Sequence, residues 1–214
     1  MKIPNIRLLN QQLLSPLFFQ PKELVSWMGA MQAQNYPMVK WAVGMRLKSA
    51  TIQAVEKALR EGKILRTHVM RPTWHYIPGK DIKWMTELSA KSMLSKFSFY
   101  AKHHGLTKED CLLYKPQIEE ILTGQHLTCQ EALEQLQLKG ITLSEPIVKM
   151  HLSFGEADGT ICSGIEKNGK HTYALTSERI PDAIELSREE ALAELARRYF
   201  RSHGPATLED FVWW

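Results

Sequence analysis

The apolar positions of this chain follow one scheme twice: stretches at helical spacing, then two short runs that alternate like strands. In the first stretch a helix is predicted from Pro21 through Met31, with Pro21 at an early position where its missing N–H costs nothing. A second helix is predicted from Pro37 to Arg46 and a third from Thr51 to Glu61. The third has Thr51 as N-cap, Ile52, Val55, Ala58 and Leu59 on one face, and Gly62 as its stop. Two β-like runs follow, Ile64 to Met70 and Thr73 to Ile77, joined by Met70-Arg71-Pro72-Thr73. Three helices and then a hairpin is the winged-helix plan, a helix-turn-helix carrying a β wing.

The second stretch repeats the plan. A helix over Lys108–Leu122 precedes one that Thr128 caps and that reaches Leu138; Thr128-Cys129-Gln130-Glu131 has capping-box spacing. Lys139-Gly140-Ile141-Thr142 supplies the turn of a helix-turn-helix, and a would-be recognition helix runs from Glu145 to near Gly155. Gly159–Ile165 and His171–Leu175 form a hairpin around Lys167-Asn168-Gly169-Lys170, since Asn-Gly between alternating runs is a strong hairpin signal. A long helical segment over Gly79–His104 links the two plans. A third begins at Ser187-Arg188-Glu189-Glu190, with Ala191, Leu192, Leu195, Ala196 and Tyr199 as its stripe. It reaches a helix capped by Thr207 and stops at Phe211-Val212-Trp213-Trp214, where Phe211, Trp213 and Trp214 are expected to pack on the helix of residues 188–203 or on a neighbouring molecule. The pattern therefore predicts a mainly α chain with small β-hairpins (α+β), divided at 1–105, 106–180 and 181–214. The third winged helix is expected to be truncated.

Charge changes this picture. Residues 1–120 carry 18 Lys+Arg against 9 Asp+Glu, net +9, while residues 121–214 carry 9 against 14, net −5. A basic first half supplies a field that attracts a phosphate backbone, although an acidic protein or membrane surface would answer to the same charge. No run of eighteen apolar residues is present, so no membrane span is expected. Cys111, Cys129 and Cys162 are odd in number and widely separated, and read as buried thiols of a reducing cytoplasm. Neither a metal nor a cofactor is expected.

The candidate chemistry lies in Met31-Gln32-Ala33-Gln34-Asn35-Tyr36-Pro37. Two neutral amides spaced by one small residue can orient a water by donating and accepting hydrogen bonds. By itself the motif is also what an ordinary polar helix end looks like. Around it, Lys63, Arg66, His68, Arg71, Thr73 and His75 of the first hairpin are candidate DNA contacts. Arg66 and Arg71 read equally as a charged hairpin edge that discourages strand pairing, and His75, alternating with Trp74 and Tyr76, as a packed core histidine. Lys167 and Lys170 either hold a phosphate or sit in an ordinary exposed turn. In the would-be recognition helix only Lys149 and His151 offer long polar readers. Trp27, Trp41, Trp74 and Trp84 read as core residues.

Several of these segments resemble the winged-helix DNA glycosylase family that includes AlkZ and YcaQ. They are Ile6–Gln11, the Met31–Pro37 motif, Arg66-Thr67 to Arg71-Pro72-Thr73-Trp74-His75, Tyr173-Ala174-Leu175 with Glu178-Arg179, Ala193–Phe200, and His203-Gly204-Pro205-Ala206-Thr207. The resemblance implies three tandem winged helices and a β-barrel, with the end of the third unit and the barrel lying beyond this chain. It implies removal of bulky N7-alkylated or crosslinked purines from double-stranded DNA, with Gln32 and Gln34 at the catalytic site. Pro72 departs from the family, where Gly is usual in the hairpin turn. The competing reading is a non-catalytic DNA-binding or regulatory module, and a weaker one a protein-interaction scaffold.

Overall fold

The computed structural model describes residues 2–214, the side chains of Lys108 and Cys111 excepted. In chain order the elements are α1 (Ile3–Asn10), α2 (Pro21–Met28), β1 (Met31–Gln32), α3 (Tyr36–Gly44), α4 (Ile52–Arg60), β2 (Ile64–His68) and β3 (Trp74–Pro78). There follow α5 (Ile82–His103), α6 (Lys108–Leu113), α7 (Lys115–Leu122), α8 (Cys129–Leu138) and α9 (Glu145–Asp158). The chain continues with β4 (Ile161–Ser163), β5 (Tyr173–Leu175), α10 (Thr176–Arg179), α11 (Arg188–His203) and α12 (Leu208–Trp213). The fold is mainly helical with two small sheets: β1-β3-β2, and the antiparallel pair β4-β5.

Two compact units divide the chain. One takes in the residues up to Arg66, Thr73–Trp84 and Ile184–Trp214; the other takes in Thr67–Pro72 and Met85–Ala183. In the first, α2, α3, α4 and the three-stranded sheet close over Leu24, Val25, Val39, Val43, Val55, Ile64 and Tyr76. The C-terminal segment joins this unit through a buried charge pair. Arg198 of α11 donates from NH1 to Asp81 and from Nε to Glu194 at 2.6 Å, and Trp84 Nε1 donates to Asp81 at 3.1 Å. These carboxylates outweigh the cost of burying the guanidinium and hold the Arg198 pKa above its ordinary value. Farther along, Phe211 and Trp214 pack on Tyr199 at 5.3 and 5.0 Å between ring centroids, whereas Trp213 is 82 % exposed. The expected packing thus holds for two of the three aromatic residues.

The second unit encloses Ile118, Leu122, Ala132, Leu136, Val148, Leu152 and Ile161. Its α8 starts at the reciprocal cap read from the sequence: Glu131 N donates to Thr128 Oγ1 at 3.1 Å and Thr128 N to Glu131 at 2.7 Å. Gly155 lets α9 lie against β4, because a Cβ there would meet Ile161 Cδ1 at 2.4 Å. At the hairpin tip Asn168 and Gly169 take φ of 49° and 76°, and Lys167 and Lys170 exchange main-chain bonds of 3.1 and 2.8 Å. This is the left-handed two-residue turn that Asn-Gly favours.

Four expectations need correction. The helix predicted through Met31 ends at Met28, where Gly29 turns at φ +82° and the chain enters β1. The helix over Lys108–Leu122 is broken at Tyr114, because Pro116 cannot continue a hydrogen-bonded helix interior and instead opens α7. Trp41 is not a core residue: it is 73 % exposed on the face of α3 opposite the buried Val39 and Val43. His151 is buried against Tyr114, so it is no reader of bases. Of the cysteines, Cys162 is buried, with its thiol pushed up to about 12 by desolvation, and Cys129 is half-buried; the Cys111 side chain lies outside the described residues.

Candidate active site on the first sheet

The glutamine pair owes its position to a strand of two residues. After Gly29, Met31 pairs with Tyr76 and Gln32 with His75 along the free edge of β3, and Ala33 N continues the ladder to Trp74 O at 2.6 Å. Extended backbone sends alternate side chains to opposite faces. Met31 and Ala33 are buried, while Gln32 in β1 and Gln34, in the bend just beyond it, are exposed.

Neighbouring groups fix this short strand. Arg66 of β2 donates from Nε to Ala33 O at 3.0 Å and from NH2 to Gln34 O at 3.4 Å. Its guanidinium lies over the Trp74 ring at 4.4 Å and the Tyr36 ring at 5.1 Å. Planar guanidinium groups stack on aromatic faces in a way a lysine cannot. The Gln34 amide is oriented as well, since its Oε1 accepts the Trp74 N–H at 3.2 Å, leaving the NH₂ end for other partners. Asn35 then caps α3 by accepting from Met38 N at 3.2 Å. A cap of this kind beside Pro37 was legible in the sequence. It would have placed the glutamines before a helix instead of at the end of one.

The remaining candidates divide between the two units. In the first, His75 is 3 % exposed, and its Nδ1 donates to Thr73 O at 2.8 Å, since a carbonyl only accepts. That fits the packed-histidine reading, while register places His75 on the same face as Gln32. Thr73 is half-buried. Lys63 pairs in solvent with Glu61 at 2.6 Å, and its ammonium draws the Glu61 pKa down.

In the second unit, His68 Nδ1 lies 2.9 Å from the fully buried Glu156, and its ring meets Phe97 edge-on. Arg71 is half-buried in the turn, where Met70 takes φ +65°. Lys149 and Lys170 are exposed, and Lys167 pairs with Glu131 at 3.0 Å. The Glu131 pKa is lowered first by the Thr128 backbone amide and then by Lys167. Among the described residues no three His, Cys, Asp or Glu side chains converge as a metal site, and no helix is long and apolar enough to cross a membrane.

A mainly helical chain with two small antiparallel sheets has a counterpart among solved structures. The chain belongs to the AlkZ-like DNA glycosylase family, whose model matches residues 25–214. It is similar to an interstrand DNA cross-link repair glycosylase from Streptomyces sahachiroi, with 21 % identity over 202 residues that cover 90 % of this chain and 54 % of the relative. The solved structure of the Streptomyces sahachiroi DNA glycosylase AlkZ shares the fold at a TM-score of 0.78 and 20 % identity, covering 95 % of this chain and 57 % of that one. The chain thus spans somewhat more than half the length of these relatives.

Proposed function

We propose that the chain works in a monofunctional DNA glycosylase that hydrolyses the N-glycosidic bond of bulky or crosslinked N7-alkylated purines in double-stranded DNA. One observation carries the reading: Gln32 and Gln34 are both exposed at the end of β1, on a backbone that Arg66 pins at Ala33 and Gln34. Alkylation at N7 makes the purine cationic, so it leaves without an acid to protonate it. What remains is to hold a water against the oxocarbenium-like sugar, a positioning task suited to two neutral amides that both donate and accept. A carboxylate in the same place would add electrostatic stabilisation and a general base. The pair therefore acts on bases that are already charged and leaves normal bases alone.

In this reading the helices and hairpins form tandem winged-helix units, divided as the sequence pattern divides them. Phosphates are met by Lys63, Arg71, Lys149, Lys167 and Lys170. Binding that rests on such lysines and arginines is indifferent to sequence and falls steeply with salt. The buried His151 leaves α9 with Lys149 as its single exposed candidate reader, which weighs against a sequence-reading regulator.

The test is incubation with duplex DNA carrying N7-methylguanine, followed by alkali to cut at abasic sites. Cleavage at the adduct and none at unmodified guanine is expected. Intact strands under conditions where the protein binds the DNA would overturn the hydrolase reading in favour of a non-catalytic module.

A further inference from the structure

An open groove of about 700 Å³, which the hydrolytic reading does not use, begins at Tyr36, two positions beyond Gln34. Its walls are Tyr36, Lys40 and Trp41 of α3, Met45 just past its end, and Thr51 and Ile52 at the start of α4. Trp41, Met45 and Ile52 are 73, 56 and 54 % exposed, so the lining is unusually apolar for surface. The one charge in the wall is neutralised in place: Lys40 Nζ sits 2.9 Å from Glu56 Oε1 and 4.4 Å from the Tyr36 ring centre. The groove also falls within the size range of small-molecule sites.

We infer that this groove holds a flat aromatic substituent carried on N7 of the adducted purine. The inference rests on the hydrolase reading and specifies its substrate. If the amides address the sugar–base bond, the purine extends away from them and its N7 substituent farther still. The first wall residue, Tyr36, stands two positions beyond Gln34. Rings stack on rings, so the exposed face of Trp41 suits the substituent, while the cationic purine itself stays nearer the amides. Lys40 would repel that cation if unpaired, and Glu56 removes the objection. Methionine adapts its shape to varied apolar guests, as a site for more than one adduct requires.

The test compares wild type with Trp41→Ala on duplex DNA bearing either N7-methylguanine or N7-benzylguanine. Release of the benzylated base is expected to fall roughly tenfold and release of the methylated base to stay unchanged. Equal loss on both substrates, or loss on neither, overturns the assignment. Trp41→Phe keeps a ring and should retain most of the benzyl release; a Phe variant as poor as the Ala variant overturns the stacking role. A binding arm stands apart from catalysis: equilibrium dialysis of the free cations 7-benzyl-9-methylguaninium and 7,9-dimethylguaninium. Wild type should hold the benzyl cation roughly tenfold better than Trp41→Ala and the dimethyl cation equally well. If neither base leaves DNA, hydrolysis alone has failed, and equal benzyl binding by wild type and variant then overturns the groove.

Discussion

Both units hang a short extended segment on the second strand of a hairpin, and the two segments end in different chemistry. In the first, β1 lines β3 and leaves Gln32, with Gln34 just beyond it, exposed. In the second, Leu127 makes a single bridge to Tyr173, with main-chain bonds of 3.0 and 2.8 Å. Its polar neighbours serve their own unit: His126 Nδ1 accepts the Ile165 N–H at 2.6 Å, and Thr128 caps α8. One architecture yields a candidate site in one unit and a hydrogen-bonded joint in the other. The difference is which side chains folding leaves with donors and acceptors still facing solvent.

The largest expected effect separates the units by stability. Asp81→Ala strands Arg198 with only Glu194, and the loss should be roughly 3–5 kcal/mol, nearer the lower figure because Nε keeps its partner. Denaturant unfolding of the variant should show the first unit melting early, with the second unchanged. A loss below about 1 kcal/mol would mean that the pair contributes no more than an exposed one does.

Next comes the site. Gln34→Ala should slow release of N7-methylguanine roughly ten- to a thousand-fold, about 1.4–4 kcal/mol of barrier, with DNA affinity nearly unchanged. Gln32→Ala should be damaging too, and Gln34→Glu should keep part of the rate because a carboxylate also holds water. Single-turnover rates alongside binding isotherms make the measurement. Wild-type rates in both alanine variants would reduce the first sheet to a structural joint like the second.

A smaller effect probes the second unit. Gly155→Ala puts a methyl into Ile161, and the expected cost is about 1–3 kcal/mol, confined to that unit's transition. An unaltered melting curve would show that Ile161 can shift aside freely.

The smallest is a pH effect at the joint. Burial first, and then the charges of Arg179 and Lys167, hold His126 below the ordinary histidine range. The unfolded chain therefore takes up the proton first as pH falls. The stability His126 supplies is fully present above a pH of about 6.5 and is lost below it, toward the lowered folded pKa. Melting at pH 7.5 and 5.5 should show a shallower decline in His126→Gln than in wild type. Parallel declines would remove His126 from the account.

The sequence by itself determined what depends on residues a few positions apart. The capping boxes at Thr128 and Ser187, the cap at Thr51 and the Asn168-Gly169 turn stand where the pattern places them. Each is a local hydrogen bond or a local φ preference. The Gln-x-Gln pair was visible as a motif, but its setting was not. Local propensity runs a helix through Met31, whereas the free edge of β3, more than forty residues away, captures that segment as a strand. A separation of 33 and 32 residues likewise hides the grip of Arg66 on the Ala33 and Gln34 carbonyls. Trp41 and His151 teach the reverse lesson, because residue type predicts average burial and only packing decides which face of a helix is covered. Gln32 and Gln34 became a candidate site when a distant strand captured what local propensity makes a helix end, since the pairing along β3 buries Met31 and Ala33 and leaves both glutamines exposed.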